Sequence, residues 1–391
     1  MAGRIPHDRD AEPFTEEDLS REARVRKRLF ASADGTGFLP FDRFMEIALY
    51  DPSDGFYTHG GTKFGPGGDF YTAAHVTPLF GETIGRHIRE LYDTAGNPRD
   101  YRIYELGPGD GTLGEGIMEG FAHSGPTPNP VEYRIVERSE ASRLVSLNRV
   151  QKAAQHGGVT VHASASISEG GPFEGVVVAN ELLDALPIRR LRYEGNHWLE
   201  LGVRLHDSIL DWQASERVRP RSGPPLPVPA EEGSVFEFSP SSEGLLREIA
   251  DHLTQGRALF FDYGMEEDEL LKAHPGGTLT SVRRHRSVPN PLSSPGLVDL
   301  TAFVNLTRIR QCAIRSGLLP LGFRPQREAL VEWGFADALE NRVREAASSE
   351  EEVRRRLAAK NLLFGFDRFY ALEFATAKGS PFKSLAGDAP V

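Results

Sequence analysis

The residues best suited to bind a ligand stand in one short segment, 101–112, which reads YRIYELGPGDGT. Strand-like residues lead to Glu105, and glycine then occupies every second position, at Gly107, Gly109 and Gly111. A strand that ends in such a turn and opens a helix places bare backbone and helix amides against a ligand. Because a carboxylate precedes the glycines, we expect a positively charged or hydroxyl-rich ligand group here rather than a pyrophosphate.

The pattern Glu-x-Gly-x-Gly-x-Gly suits S-adenosylmethionine, whose amino acid end carries an ammonium group and whose sulfur is a cation. A register shifted to Gly109-x-Gly111-x-x-Gly114 also satisfies the dinucleotide fingerprint, so the glycines alone leave a nicotinamide cofactor open. That register would end the strand in Gly-Pro without a donor and would set Glu105 near a pyrophosphate. A plain glycine-rich turn without a ligand is the third interpretation.

Glu137 ends the next predicted strand, 131–137. In a doubly wound sheet, a carboxylate at this position can accept hydrogen bonds from both ribose hydroxyls of a nucleoside. The alternative interpretation is an acid that caps the following helix, a role for which Ser139 competes.

Asn180, Glu181 and Asp184 follow the apolar strand predicted over 175–179, beside the point where ligands bind in such sheets. If the methyl acceptor is an arginine, its guanidinium cannot be deprotonated before it reacts, so carboxylates must orient it and align a nitrogen with the methyl–sulfur bond. We therefore predict Glu181 and Asp184 as the catalytic pair, with Asn180 beside them. The alternative is that Asn180 and Asp184 cap a following helix.

A long loop over 51–77 is rich in glycine and aromatic residues and has no period. Loops of this length inside compact domains are commonly functional. Gly68, Asp69 and Thr72 could fold over the cofactor as part of a lid, and a packed structural loop is the alternative. No histidine or cysteine spacing is typical of a metal site, so no metal is predicted.

Strands alternating with helices over 101–181 predict a parallel sheet covered by helices, the doubly wound α/β class. Residues 188–240 break this alternation with antiparallel strands and a proline-rich connector, and we interpret them as an insertion. The remaining predictions are helices over 15–33 and 40–49, a helix from Thr77-Pro78, helix 242–255, strand 257–264, a loop over 265–300, a mostly helical segment 299–317, helices within 328–363 and a strand over 369–377.

The composition is that of an ordinary globular protein, with 39% hydrophobic and 26% charged residues among 391, which suggests one large domain or two. The net charge of −11 argues against a nucleic-acid partner and permits a basic protein or peptide substrate. Cys312 is the single cysteine, so we expect no disulfide and a reducing compartment, the cytoplasm. No apolar run approaches the ~20 residues that span a bilayer, and the acidic N-terminus argues against a signal or transit peptide.

Longer blocks of sequence run in order through nearly the whole chain. They are FMEIALYDPSDGFY at 44–57, GGDFYT and TPLFGE within 67–82, YELGPGDGTL at 104–113, VVANELLDALPIRR at 177–190, LFFDYG at 259–264, the segment 277–304 and GFRPQ at 322–326. NELLDALP and the GDF-x-T motif are far more specific than any glycine pattern. With these blocks the chain resembles the MidA-like proteins, bacterial and mitochondrial methyltransferases related to a complex I assembly factor that methylates arginine.

The resemblance implies a class I methyltransferase fold with a mostly parallel, Rossmann-like sheet of seven strands and S-adenosylmethionine as cofactor. It also implies symmetric dimethylation of an arginine in a protein substrate, such as a respiratory-chain subunit. We accordingly predict an N-terminal helical cap with the lid loop over 1–95, a methyltransferase domain over 96–380 that carries the 188–240 insertion, and a flexible tail over 381–391. The oligomeric state is not predicted.

The chain departs from the family pattern at two places. Ala74-His75 stands where the family usually has Pro-Glu, and Asn305 stands where it usually has aspartate. Because a lost carboxylate could change the substrate or weaken catalysis, the alternative function is a cofactor-binding assembly chaperone with little or no methyltransferase activity. A nicotinamide-dependent oxidoreductase rests on the shifted glycine register alone.

Overall fold

The computed structural model describes residues 14–59, 72–155, 158–207, 209–215, 226–227, 231–284 and 286–376. Several predicted features lie outside these residues. They are Gly68 and Asp69 of the lid, most of the proline-rich connector, and the tail over 381–391.

Twelve α-helices lie in the described part of the chain. They are α1 (Glu16–Ser32), α2 (Phe41–Tyr50), α3 (Ala73–Val76), α4 (Leu79–Thr94), α5 (Thr112–Ala122), α6 (Glu140–Ala154), α7 (Pro240–His252), α8 (Glu267–Ala273), α9 (Leu306–Ser316), α10 (Gln326–Glu332), α11 (Phe335–Arg344) and α12 (Ser349–Phe364). None of these helices is long and apolar enough to cross a membrane.

Sixteen β-strands are found in the same residues. They are β1 (Phe38–Pro40), β2 (Tyr101–Leu106), β3 (Val131–Val136), β4 (Val159–Ser164), β5 (Phe173–Asn180), β6 (Arg189–Glu194), β7 (His197–His206), β8 (Ile209–Ala214), β9 (Val235–Phe238), β10 (Leu253–Met265), β11 (Thr280–Arg283), β12 (Arg286–Val288), β13 (Asp299–Thr301), β14 (Val304–Asn305), β15 (Leu318–Pro325) and β16 (Phe369–Thr376).

The central sheet has the strand order β15-β16-β10-β5-β2-β3-β4, with the short β14 attached to β10. Strands β10, β5, β2, β3 and β4 pair in parallel, whereas β16 pairs antiparallel with both β10 and β15. The sheet is therefore mixed. After β2 the chain moves outward through β3 and β4 and then returns to β5 on the other side of β2. The carboxyl ends of β2 and β5 thus form a switch point, where open α/β sheets bind ligands.

Strand β5 lies between two apolar cores, which explains its unbroken run of valines. Val176 and Val178 enter the core formed with α4 and α5, and Val177 enters the core formed with α7 and α9. All three side chains are fully buried. Alternate residues of a strand point to opposite faces, so a strand covered on both faces reads as a continuous β-branched segment.

Local capping chemistry sets the helix starts that position the site. Thr15 caps α1 in a capping box with Asp18, and Ser139 caps α6. The helix predicted from Thr77-Pro78 begins one residue later than expected, because Pro78 occupies the N-cap position of α4. Helix α4 packs in the same core as β2 and β3, and the proposed domain boundary at residue 95 stays a prediction.

A second, antiparallel sheet has the order β1-β7-β6-β9, with β8 on β7. A tight turn joins β6 and β7, with Gly195 at φ +55° and Asn196 at φ +64°, the conformation that tight hairpins require. Strand β1 joins this sheet to the N-terminal helices, which share a core with β7 and β13. That residues 188–240 are an insertion stays a prediction.

The prediction of a loop over 265–300 was wrong. This segment contains α8 and the small sheet β12-β11-β13, and residues 299–305 of the predicted helix are extended. These elements are short, so they carry too little hydrophobic periodicity to be recognised. They are held by distant partners instead: Glu267 of α8 pairs with Arg308, and Leu300 of β13 packs against the N-terminal helices.

Helices α4 and α5 touch backbone to backbone through glycine. A methyl group on Gly81 would lie 2.9 Å from the Cα atom of Gly116, and one on Gly120 would overlap the carbonyl oxygen of Glu82. This contact fixes α5, whose first residue directly follows the glycine turn.

We expect Gly120→Ala to lower the free energy of unfolding by about 1–3 kcal/mol, because the added methyl forces the two helices apart. Gly244→Ala in α7, where no atom lies within 4 Å of the new methyl, should raise it by about 0.4–1 kcal/mol. Urea unfolding without ligand measures both. Equal effects of the two substitutions would contradict the close approach of α4 and α5.

Candidate active site

A cavity of about 400 Å3 lies at the switch point. The ends of three parallel strands and the segment after β5 contribute its floor: Leu106, Gly107, Val136, Glu137, Ala165, Ser166, Leu182 and Leu186. Tyr50 and Tyr57 close it from the N-terminal side, and α7 borders it as well. Its volume is within the range of pockets that bind small molecules and cofactors.

The predicted glycine turn borders this cavity through Gly107. Gly107, Gly109 and Gly111 have φ values of +63°, +57° and +84°, which side-chain-bearing residues rarely adopt. A methyl group on Gly111 would lie 2.9 Å from the Cα atom of Ser146, so the turn also lies close against α6. Helix α5 begins immediately afterwards, and the turn therefore leads into a helix N-terminus as predicted.

Glu105 lies behind the turn with 1% of its surface exposed. Its Oε2 accepts a hydrogen bond of 2.8 Å from the Tyr133 hydroxyl, and no described residue donates one to Oε1. Burial raises the pKa of Glu105 to about 8. A buried carboxyl with an open acceptor atom favours a cationic partner over an anionic one, which agrees with the expectation from the sequence.

Glu137 follows β3 and lines the same cavity as Gly107. The backbone N–H of Ser139 donates to Glu137 Oε1 at 2.7 Å, and Arg143 donates to the Glu137 carbonyl oxygen at 2.7 Å. The carboxylate is thus oriented by the start of α6 while it borders the cavity. Ser139 supplies the side-chain cap of that helix.

Thr72 and His75 connect the end of the long loop to the glycine turn. His75 Nδ1 lies 2.9 Å from Thr72 Oγ1, and His75 Nε2 lies 3.4 Å from Oδ1 of Asp110. Asp110 stands between two of the turn glycines and also pairs with Arg149 at 2.8 Å. Burial acts to raise the pKa of Asp110, but hydrogen bonds from His75 and Thr112 hold it below its usual range. His75, a departure from the family pattern, therefore takes part in holding this turn.

The chain turns sharply after β5, and a carboxylate of the neighbouring strand holds the turn. Glu181 has φ +49°, a strained conformation for a residue with a side chain. Asp262 Oδ2 accepts hydrogen bonds from the backbone N–H groups of Leu182 at 3.1 Å, Leu183 at 2.8 Å and Asp184 at 3.4 Å. Asp262 lies within the predicted strand 257–264, and no role was predicted for it from the sequence. The signal that could have pointed to Asp262 was its position in a strand that lies parallel to β5 and next to it.

Glu181 is partly exposed, and its Oε1 accepts hydrogen bonds from Asn180 Nδ2 at 3.2 Å and from the Ala73 N–H at 3.4 Å. Burial, together with the nearby Asp184, raises the pKa of Glu181 to about 8. The carboxyl is therefore largely protonated at neutral pH until a cation approaches. Ala73 is the first residue of α3, the helix that also contains His75. The end of the long loop therefore contacts both the glycine turn and Glu181.

Asp184 is buried deeper than Glu181. Thr301 Oγ1 donates to Asp184 Oδ2 at 2.5 Å, and Asp184 Oδ1 receives no hydrogen bond within the described ranges. Burial raises the pKa of Asp184, although the hydrogen bonds from Thr301 and Tyr263 oppose the shift. The alternative that Asn180 and Asp184 cap a helix was wrong, since the next element is β6.

Two tyrosines from the N-terminal segment complete the site, and the sequence analysis did not single them out as site residues. The Tyr50 hydroxyl donates to the Ala185 carbonyl oxygen at 2.9 Å, and the Tyr57 hydroxyl donates to Asp299 at 2.7 Å. Their rings stack with centroids 5.4 Å apart. Burial, followed by the charge of Asp299, raises the pKa of both tyrosines well above the usual range. Both remain neutral donors.

Asn305, the second departure from the family pattern, lies away from this cavity. It caps α9, accepting from the Arg308 N–H at 3.1 Å, and its Nδ2 donates to Glu267 at 3.2 Å. An aspartate could form the same cap but could not donate to Glu267. The substitution is thus explained by the local packing of α8 and α9.

The fold and this cavity define the class of the protein, a methyltransferase that uses S-adenosylmethionine. The residues fit that cofactor, because Glu105 keeps an acceptor atom without a described donor, the turn glycines adopt φ values that side-chain-bearing residues rarely do, and Glu137 lines the cavity. The chain belongs to the family described as "Putative S-adenosyl-L-methionine-dependent methyltransferase", whose model matches residues 83–324. The resemblance to the MidA-like proteins is thereby confirmed.

Relatives and solved structures agree with this assignment. The chain is 26% identical over 364 residues to "Protein arginine methyltransferase NDUFAF7 homolog, mitochondrial" of Caenorhabditis elegans, covering 87% of this chain and 83% of the relative. It is 25% identical over 371 residues to "Protein arginine methyltransferase NDUFAF7, mitochondrial" of Homo sapiens, covering 87% and 78%. A Burkholderia thailandensis protein, crystallised with S-adenosyl-homocysteine, matches with a TM-score of 0.84 and 28% identity over 94% of this chain and 96% of that one.

We expect Glu105→Gln to make stability less dependent on pH. From about pH 4.5 to 8 the unfolded chain ionises Glu105 while the folded protein keeps it protonated, so the free energy of unfolding falls as pH rises. The fall is at most about 1.4 kcal/mol per pH unit. Urea unfolding without cofactor at several pH values measures this effect. The free energy of unfolding of the variant should rise relative to that of the wild type as pH increases. A difference that is constant with pH would contradict the raised pKa.

The same variant should bind S-adenosylmethionine about 10-fold to 100-fold more weakly in calorimetry, because a hydrogen bond to a charged group is lost. Unchanged affinity would remove Glu105 from the set of residues that hold the cofactor.

We expect His75→Ala to free the short helix α3 from the glycine turn. The Ala73 amide should then exchange hydrogen about tenfold faster, and cofactor affinity should fall by about 1 kcal/mol, the typical value of one hydrogen bond. His75→Asn keeps a short acceptor for Thr72 but cannot reach Asp110, so it separates the two contacts. If both variants exchange and bind like the wild type, His75 has no positioning role.

Proposed function

We propose that the protein transfers a methyl group from S-adenosylmethionine to an arginine side chain of a protein substrate. The observation that carries this proposal is the cluster of buried or partly buried carboxyl groups beside the cavity: Glu181, Asp184, Asp262 and Asp299. Burial and mutual repulsion raise the pKa of Asp262, with Asp184 and Glu181 as the repelling charges. Such a cluster favours a cationic acceptor over a neutral one. The arginine methyltransferase names of the relatives support the same acceptor.

S-adenosylmethionine supplies a methyl group bound to a positively charged sulfur. In this proposal, the glycines Gly107, Gly109 and Gly111 and the N-terminus of α5 hold its amino acid part, and Glu105 accepts from its ammonium group. Glu137 accepts from its ribose hydroxyls, which its place on the cavity wall supports. Gly68, Asp69 and Thr72 belong to the lid, a role supported for Thr72 by the contact through His75 to the glycine turn.

Glu181 is proposed to receive the guanidinium group. Because a guanidinium is always protonated, its approach lowers the pKa of Glu181 from about 8 and ionises the carboxyl, which then orients the acceptor nitrogen through charge-assisted hydrogen bonds. The nitrogen loses its proton only as the new bond forms. The ionised Glu181 carboxylate then accepts that proton. Asn180 orients Glu181, and Asp184, which accepts a hydrogen bond from Thr301, is the second carboxyl group of the predicted catalytic pair.

The family resemblance extends the proposal to its finer points. They are a symmetric dimethylarginine product, a respiratory-chain subunit as substrate and a cytoplasmic location. Mass spectrometry of the methylated protein distinguishes symmetric from asymmetric products by their fragment ions, and comparison of proteomes with and without the gene identifies the substrate. Cofactor binding without methyl transfer would instead favour the cofactor-binding assembly chaperone.

We expect Glu181→Gln to lower kcat by at least about 100-fold, the usual contribution of a positioned acid or base. Its affinity for S-adenosylmethionine should stay within about threefold, well under 1.4 kcal/mol. Transfer of tritium from labelled cofactor into protein from cells lacking the gene measures the first quantity, and calorimetry measures the second. Glu352→Gln, which removes an ion pair on the surface of α12, is the control. A fully active Glu181→Gln protein would exclude Glu181 from the mechanism.

The wild-type reaction should also depend on pH in one direction. Since the ionised form of Glu181 is the active one, kcat/KM should rise about tenfold per pH unit below the pKa of about 8 and level off above it. The same assay run from pH 6 to 9 measures this profile. A decrease through this range would contradict the assigned role.

A further inference from the structure

A second concave region, with a volume of about 900 Å3, lies between α2 and the start of α6. We call it the α2–α6 groove. Tyr50, Thr58 and Arg138 line both this groove and the cofactor cavity, so the two spaces meet at these residues. The groove is thus a route from the protein surface to the site.

The junction already holds a guanidinium group. Arg138 lies over the ring of Tyr50, 5.6 Å from its centroid, and pairs with Glu46 at 3.4 Å. The Arg138 side chain is 66% exposed. Cation–π contacts and ion pairs at exposed positions are weak, so Arg138 can move into solvent at little cost.

The Tyr50 side chain links this junction to the carboxyl cluster. Its ring faces Arg138, and its hydroxyl donates to the carbonyl oxygen of Ala185, next to Asp184 in the chain. A cationic side chain that enters along this ring therefore moves toward increasing negative charge. The groove is lined by three acidic residues, Glu46, Asp51 and Glu140, and by two basic residues, Arg43 and Arg138.

We propose that the α2–α6 groove binds the arginine-bearing segment of the protein substrate, whose guanidinium enters by displacing Arg138 from Tyr50 and Glu46. This inference rests on the proposed function. The exchange replaces one planar guanidinium by another, so the ring face and the carboxylate stay satisfied. A lysine ammonium lacks the planar stacking and the bidentate geometry, and it is disfavoured at this junction. Departure of Arg138 also leaves the groove with excess negative charge, complementary to a basic segment.

Two neighbouring residues of α6 provide a matched test. Leu144 and Val145 are exposed to 56% and 55%, but only Leu144 is among the residues that line the groove. Leu144→Lys and Val145→Lys therefore add the same charge to the same helix, inside and outside the groove. The probe is a fluorescein-labelled peptide of glycine and arginine, measured by anisotropy with saturating S-adenosylhomocysteine.

We expect Leu144→Lys to weaken binding of this peptide at least about tenfold through repulsion and loss of apolar contact, and Val145→Lys to change it less than about twofold. Arg138→Ala should strengthen binding about twofold to fivefold, since the competing guanidinium is removed. Replacing every arginine of the peptide by lysine should weaken binding to the wild type about tenfold. Equal effects of the two lysine substitutions, weaker binding by Arg138→Ala, or no binding to the wild type would overturn the proposal.

The binding assay needs no turnover, so it separates this inference from the proposed function. If the peptide binds as expected but the wild type transfers no label to protein, the groove is supported as the peptide-binding site and the proposed arginine methyltransferase function is wrong. If label transfer is normal and Leu144→Lys retains full activity and peptide affinity, the function stands and the groove assignment falls.

Discussion

The acceptor of three backbone hydrogen bonds, Asp262, is the group on which the arrangement of the site depends. The parallel register of β5 and β10 places Phe261 beside Asn180, so the next carboxylate on β10 meets the turn that leaves β5. Its oxygen satisfies N–H groups that would otherwise be buried without partners in this strained turn. Together with the hydrogen bond of 2.8 Å from the Glu181 N–H to the Phe261 carbonyl oxygen, these contacts hold Glu181 in its left-handed conformation.

The same arrangement crowds carboxyl groups together, which explains the direction of their pKa shifts. Glu181, Asp184 and Asp262 cannot all ionise in a buried environment, so their pKa values are raised. A bound cation relieves this repulsion and a neutral ligand does not. The carboxyl groups are therefore already positioned around a place suited to a positive charge. Binding of a cation would offset the free-energy cost of holding these groups close together.

The sequence predicted the features that depend on local pattern. The valines of β5, the alternation of strands and helices and the glycines at 107, 109 and 111 were recognisable, because burial and positive φ select those residue types directly. The long-range contacts could not be read from spacing. Tyr57 reaches Asp299 across 242 positions, and Asp262 reaches Leu182 across 80. The short elements within 265–300 were missed for the same reason, since distant partners stabilise them.

Helix α3 connects two parts of the site, the glycine turn and the Glu181 carboxyl. Its first residue, Ala73, donates to Glu181, while His75 holds Asp110 of the glycine turn. The glycine turn and the Glu181 carboxyl are thus connected through one short turn of helix. A glutamate at position 75, as in the family pattern, would have to contact the same two groups with one flexible side chain. The imidazole ring, with one nitrogen toward each, spans them without flexible bonds between its two contacts, and in this chain it replaces the carboxylate of the family pattern with a rigid link.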